Sequence, residues 1–228
     1  GPWYHGQWWF DDGAQLGEQR WGAKTSEYYS REILLPFFEH YLKGTGDGRY
    51  AEAQVFETGS NRWRAFDQWP PAGVARESLY LSAQGTLSAG QRNGLSGFDQ
   101  YYSDPNKPVP YLDKVTTRRP GTEHQYMVED QRFASTRPDV LVYQTPPLEH
   151  DLTIAGPITA TLYASTTGTD ADFIVKVIDV YPHNTPDPTP NPTQVVLGGY
   201  QQLLRGEVMP ARFRKGFEKG VAMVPNQV

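Results

Sequence analysis

The sequence predicts a mainly β protein, an antiparallel sandwich of the jelly-roll kind with one helix ahead of it. Three observations carry this. After Gly48 the chain holds a series of short strand-like segments, separated by turn clusters and by no helical pattern. Its 22 glycines and 19 prolines are spread along 228 residues, which favours short strands and many turns over helices. Sustained helical spacing of apolar residues occurs in one place, TSEYYSREILLPFFEHYLKGTG.

The chain opens GPWYHGQWWFDDG. Gly1-Pro2 reads as a turn. His5 follows on a loop walled by Trp3, Tyr4, Trp8, Trp9 and Phe10, and the first 24 residues are loop-like throughout. The helix is expected from Thr25 to Leu42, with Thr25 or Ser26 as N-cap and Gly44 at the residue past its end. Ile33, Leu34, Phe37, Phe38, Tyr41 and Leu42 form one broad apolar face that needs a surface to pack on. Pro36 interrupts it. Proline has no N–H for the carbonyl of Glu32 and its ring crowds that group, so a kink is expected there.

Five segments then read as strands: AEAQVFETG, ESLYLSA, DVLVYQTP, LTIAGPITATLYAST and DFIVKVIDVYP. In the fourth, Ile158, Ala160, Leu162 and Ala164 alternate with Thr159, Thr161, Tyr163 and Ser165, one face dry and one wet. DFIVKVIDV is apolar on both faces except at Lys176, as a central strand is. PHNTPDPTPNPTQ, Pro-rich and polar, reads as a long exposed hairpin loop with polyproline-II character. The last stretch, VMPARFRKGFEKGVAMVPNQV, has no closing strand, so both ends read as cuts in a longer chain.

Composition excludes several classes. A formal net charge of −5 without any Lys/Arg-rich run argues against nucleic acid or an anionic membrane as partner. There is no apolar run of bilayer length and no signal-peptide pattern. With no cysteine there is no disulfide, thiol nucleophile or zinc–thiolate site.

Seven segments in order carry a resemblance: GPWYHG, LLPFFEHYLKG, VFETGSNRW, YYSDPNKPVPY, EDQRFASTRPDVLVYQT, TDADFIVKVIDVYP and GYQQLLRGEVMPARFR. Together they resemble the CocE/NonD serine hydrolases, and among these the α-amino-acid ester hydrolases and glutaryl-7-aminocephalosporanic acid acylase-like proteins. The resemblance implies an α/β-hydrolase domain, a helical cap and a C-terminal jelly roll of the X-prolyl-dipeptidyl-peptidase type. On that reading residues 1–48 are the last loop and final helix of the α/β-hydrolase domain. Residues 51–228 are the jelly-roll β-sandwich, without its last strands. The family's triad runs Ser, Asp, His in chain order, and its histidine, in the GPWxH loop, maps to His5. The serine, the aspartate, the oxyanion-hole groups and the acidic cluster for an α-ammonium group lie upstream in the family and have no counterpart here. The resemblance therefore implies cleavage of an ester or amide through an acyl-enzyme, and inactivity of this chain alone. The implied partners are the remainder of the same hydrolase and a small acyl ester or amide, with room for a homo-oligomer. No cofactor is implied, and the setting is periplasmic or secreted.

Among single residues, His5 is the candidate general base, with Tyr4 and Trp8 as candidates for the acyl pocket and the other aromatics of the loop assigned to packing. Asp11 and Asp12 follow His5 and read as turn residues. Asp170 and Asp172 supply too few oxygens for calcium and read as a strand entry paired with an arginine. Ser60, Ser96 and Ser103 stand in no G-x-S-x-G elbow. His40, His124, His150 and His183 show no metal-ligand spacing, and no metal site is expected. A second class of function is a non-catalytic jelly roll, either a carbohydrate-binding module or a structural, assembly-forming domain. The former would show a row of exposed aromatics on one sheet face.

Overall fold

A computed structural model describes residues 1–90, 97–114 and 124–228; Ser96 lies outside them. Every strand pairing is antiparallel: β1 (Gln15–Leu16) with β2 (Gln19–Arg20), β3 (Ala53–Glu57) with β4 (Arg62–Phe66), β5 (Tyr80–Ser82) with β6 (Thr86–Ser88), and β7 (Asp172–Val180) with β8 (Gln201–Pro210). The helices are α1 (Gln7–Phe10), α2 (Thr25–Tyr28), α3 (Leu35–Lys43) and α4 (Arg132–Ser135). The chain divides into two compact units, one of residues 1–126 and 132–157, the other of 127–131 and 158–228.

In the first unit the expected helix forms, but not with the expected details. Neither Thr25 nor Ser26 is its N-cap. Lys24 holds that position and makes no side-chain cap bond. The hydroxyl of Thr25 is committed elsewhere, donating to the carbonyl of Gly13 at 2.6 Å. Pro36 is accommodated one turn earlier by a π-helical turn, Tyr29–Leu34, in which the amide of Leu35 donates to the carbonyl of Ser30, five residues back. Gly44 ends α3 in the left-handed conformation (φ 69°, ψ 22°), as the sequence predicts. The apolar face is largely uncovered in this chain: Ile33 and Leu34 are half-buried, while Phe37, Phe38, Tyr41 and Leu42 are exposed. Phe37 and Tyr41 touch one ring beyond the helix, that of Tyr50. VFETGSNRW forms β3, its turn and the start of β4. Trp63 stacks on Tyr28 with ring centroids 5.1 Å apart, and Phe56 meets Trp21 edge-on.

Two expected strands are corrected. DVLVYQTP makes a single bridge, Gln144 beside Thr86 in the parallel sense, and is otherwise irregular. LTIAGPITATLYAST forms no strand ladder among the described residues, its one backbone bond to a distant segment there being from the amide of Asn226 to the carbonyl of Thr166 at its end, and its alternation produces no dry face: Ile158, Leu162 and Tyr163 are all exposed. A strand exists through its neighbour's hydrogen bonds, and none runs beside this segment.

In the second unit β7 and β8 pair from Asp172↔Pro210 to Val180↔Gln201, with a register shift between Val177 and Ile178. β7 is not central, since β8 is its one strand neighbour among the described residues and Ile174 is 62 % exposed. The Pro-rich stretch does join β7 to β8 as a long hairpin loop. Asp187 accepts from the amide of Leu197 (2.8 Å), and Asn191 bonds both the amide and the carbonyl of Val195. The segment 127–131 lies along β8. The amide of Gln131 donates to the carbonyl of Gln201, the hydroxyl of Tyr200 to that of Val128, and Lys176 Nζ to Gln131 Oε1 at 2.6 Å. Tyr200, Gln131, Val128 and Ala211 are the buried centre of this unit.

Candidate active-site loop

The candidate site is built on a tight turn. The amide of Gln7 donates to the carbonyl of Tyr4 at 3.1 Å, closing the four residues Tyr4-His5-Gly6-Gln7. Gly6 has φ 81° and ψ −3°, the values a type II turn requires at its third position and which a glycine adopts without strain. His5 is therefore the second residue of that turn. It is exposed, with its ring 6.4 Å from that of Trp8. Among the described residues no serine hydroxyl and no carboxylate is in hydrogen-bond or ion-pair contact with it.

What surrounds His5 is a sheath of aromatics over a polar interior. Trp3 meets Trp8, Tyr29 and Trp63 with centroids 5.8, 5.1 and 6.1 Å apart, so it packs between the loop, the helix and β4. Trp9 and Phe10 are exposed by 73 % and 77 %, with the Trp9 ring 5.4 Å from that of Trp8 and the Phe10 ring beside Gly6. Below the turn lie Gln7, Thr25 and Ser26, all buried.

Of the pocket candidates, Trp8 lines an open depression of about 230 Å³ with Asp11, Ser26, Glu27, Ser30 and Arg31. Tyr4 is not among its lining residues. It is half-buried, and burial, with the charge of Asp11 second, pushes its hydroxyl above the ordinary tyrosine range. The two residues are thus not brought into one pocket in this chain. Asp11 and Asp12 hold the following turn. Asp11 accepts from the Gln7 side chain and the amide of Gly13, while Asp12 accepts from the amide of Ala14 and lies 3.7 Å from Lys24 Nζ. Gln7 was not signalled by the sequence, because nothing in its type or spacing separates a buried bracket glutamine from a surface one.

Away from the loop, Asp170 is the strand-entry residue expected of it. Its Oδ2 receives Arg212 Nη1 at 2.6 Å and its Oδ1 accepts from the amides of Ala171 and Arg212. The hydrogen bond from the Arg212 guanidinium holds its carboxyl below the usual range. No group of three or more His, Cys, Asp or Glu that suits a metal ion occurs among the described residues. Among them no helix is long and apolar enough to cross a membrane. Exposed aromatics stand on the opening loop and α3, and also at Tyr80 on β5 and at Phe98, Tyr102, Tyr163 and Phe217 outside the strands. The β7–β8 ribbon exposes aliphatic Ile174, Val208 and Met209.

Comparison with known proteins agrees with this architecture. Residues 40–228 match the X-Pro dipeptidyl-peptidase C-terminal non-catalytic domain; His5 lies ahead of the matched stretch. The cocaine esterase of Rhodococcus sp. (strain MB1 Bresler) is 31 % identical over 156 residues, 64 % of this chain and 27 % of the esterase. The crystal structure of an aminopeptidase from the marine sediment archaeon Thaumarchaeota archaeon superposes with a TM-score of 0.88 at 38 % identity, over 100 % of this chain and 36 % of that one. A selenomethionine-labelled α-amino acid ester hydrolase follows with 0.83 at 32 %, over 99 % of this chain and 37 % of the other. The chain thus spans roughly a third of the length of these relatives. Mainly β, with four antiparallel strand pairs and few helices among its described residues, the chain belongs to the X-Pro dipeptidyl-peptidase C-terminal domain family, in the form carried by CocE/NonD-type serine hydrolases.

Proposed function

We propose that this chain is the C-terminal portion of a serine hydrolase that cleaves an ester or amide of the α-amino-acid type through an acyl-enzyme, with His5 as general base. The observation that carries the reading is the placement of His5: exposed, on a closed type II turn whose underside is buried and hydrogen-bonded. A histidine kept for packing would be turned inward. The family membership and the likeness to an esterase, an aminopeptidase and an ester hydrolase support the hydrolase context.

In this reading the serine and the carboxylate that orients the imidazole come from the remainder of the same polypeptide. His5 takes the serine hydroxyl proton as the oxygen attacks the acyl carbonyl. It returns that proton to the departing alcohol or amine, and then repeats the cycle with water to release the acid. Residues 51–228 serve as a wall that packs on the hydrolase domain and shapes the cleft.

The test is His5→Ala in a protein of full family length. Its kcat is expected to fall by roughly 10⁴ or more, with little change in thermal midpoint, because an exposed turn residue contributes little core area. Retention of even a tenth of the activity contradicts the assignment. For the 228-residue chain alone, p-nitrophenyl acetate turnover is expected to match free imidazole. Labelling of this chain by a serine-reactive fluorophosphonate contradicts the reading.

A further inference from the structure

The best-buried polar side chains of the opening segment lie directly beneath the His5 turn. Gln7 is 2 % exposed and Thr25 0 %. Each both donates and accepts. Gln7 Oε1 accepts from the amide of Tyr4 (3.2 Å), while its Nε2 donates to the Asp11 carboxylate (3.1 and 3.2 Å) and to the carbonyl of Gln15 (2.8 Å). Thr25 Oγ1 accepts from Trp3 Nε1 at 2.7 Å and donates to the carbonyl of Gly13 at 2.6 Å. Gln7 therefore grips the residue before His5 and the chain after it. Thr25 holds Trp3, one residue further out ahead of His5, and Gly13 after it, and it ties both to the first turn of α2. Apolar packing holds a loop in place with tolerance for sliding. Buried hydrogen bonds are directional and costly to leave unmade, so they fix one geometry.

We propose that Gln7 and Thr25 are positioning residues for His5, a polar bracket that sets where the imidazole stands when the serine is presented to it. The proposal rests on His5 being the general base. Neither residue touches the reacting atoms: Gln7 acts through the backbone of the His5 turn, and Thr25 through the Trp3 ring and the Gly13 backbone that flank it. General-base catalysis is sensitive to such placement, since a shift of about 1 Å can cost on the order of 10²-fold.

The test uses the enzyme at full family length with three substitutions and His5→Ala beside them. Thr25→Val keeps the shape and removes the hydroxyl, stranding the Trp3 N–H and the Gly13 carbonyl. Thr25→Ser keeps the hydroxyl. Gln7→Met keeps the length and removes the amide. Thr25→Val and Gln7→Met are expected to lower kcat about 10- to 100-fold per active site titrated with fluorophosphonate, with KM within about threefold. The rate of fluorophosphonate labelling is expected to fall with kcat, and Thr25→Ser to recover most of both. Titrating sites separates misplacement from loss of folded protein. Should Thr25→Val not fold, Gln7→Met and Thr25→Ser decide the matter. If kcat per titrated site stays within twofold of the parent in Gln7→Met, or if Thr25→Ser loses as much as Thr25→Val, the bracket has no positioning role. His5→Ala tells the two readings apart. If it is inactive while the bracket variants are fully active, the positioning proposal alone fails. If it remains active, the general-base assignment fails and takes the bracket with it.

Discussion

Gly13 shows how tightly the residues behind His5 are fitted. Its φ is +69°, and a Cβ there would stand 2.3 Å from Ser26 Oγ and 2.6 Å from both the Ser26 amide nitrogen and Thr25 Oγ1. One obstacle is backbone, so Gly13→Ala is expected to lower stability by about 2–3 kcal/mol or prevent folding. Gly22 has nearly the same φ, +64°, with nothing within 4 Å. Gly22→Ala then costs about 1 kcal/mol from backbone strain alone. Thermal midpoints of the two variants in one background measure the difference, and equal shifts would show that the crowding is harmless. The Asp170–Arg212 pair gives a prediction in pH. The folded carboxyl titrates below the ordinary 3.8, so its stabilisation is fully present above that value and is lost as pH falls through the lower, folded one. Asp170→Asn is expected to melt earlier than the parent at pH 7, by a modest amount since both partners are substantially exposed. The gap should narrow below pH 4, and a gap independent of pH contradicts the ion-pair account. At this scale residue type and local spacing made Asp170 legible as a strand-entry residue, whereas His5 was singled out through the order of the family motifs. The sequence left Gln7 and Thr25 dark: nothing in its type marks Gln7 as buried, and the partners of Thr25, Gly13 and Trp3, are 12 and 22 residues away.

Helix and strand differ in what they need from elsewhere. The helix over 25–43 was legible from its spacing and from Gly44, because its hydrogen bonds are internal. The response to Pro36 was not, since a kink and a widened preceding turn both remove the clash. The segment 152–166 has strand periodicity and no strand, because its backbone groups find no ladder among the described residues. Hydrogen exchange measures this directly. Amides of 152–165 in the 228-residue chain are expected to exchange at nearly unprotected rates, and in a protein of full family length to be protected. Strong protection in the short chain shows that the segment is already paired. The face of α3 follows the same logic. Phe38 and Leu42 are 47 % and 76 % exposed, so replacing both by serine should leave the melting of the 228-residue chain nearly unchanged and destabilise the full-length protein by about 1.5–3 kcal/mol for each side chain buried there.

For the molecule as a whole, large apolar side chains stand exposed on α3, on 152–163 and on β7–β8. Expressed by itself, the chain is expected to self-associate. Size-exclusion chromatography with light scattering should give a mass above 25.7 kDa that rises with concentration. A monodisperse monomer with a single cooperative melt contradicts this and marks the 228 residues as sufficient for a closed core.

By itself the sequence determined what depends on near neighbours: the helix and its glycine stop, the β3, β5 and β7 segments, the Pro-rich hairpin loop, and the motif order that led to the family. The tertiary structure alone decided which strand-like segments are strands, which apolar faces are covered, and which polar side chains lie beneath the histidine. Helical bonds and tight turns close within a few residues, so composition and spacing report them. Ladders, burial and the hold of Thr25 on Trp3 and Gly13 depend on groups distant in the chain, whose approach no local pattern encodes.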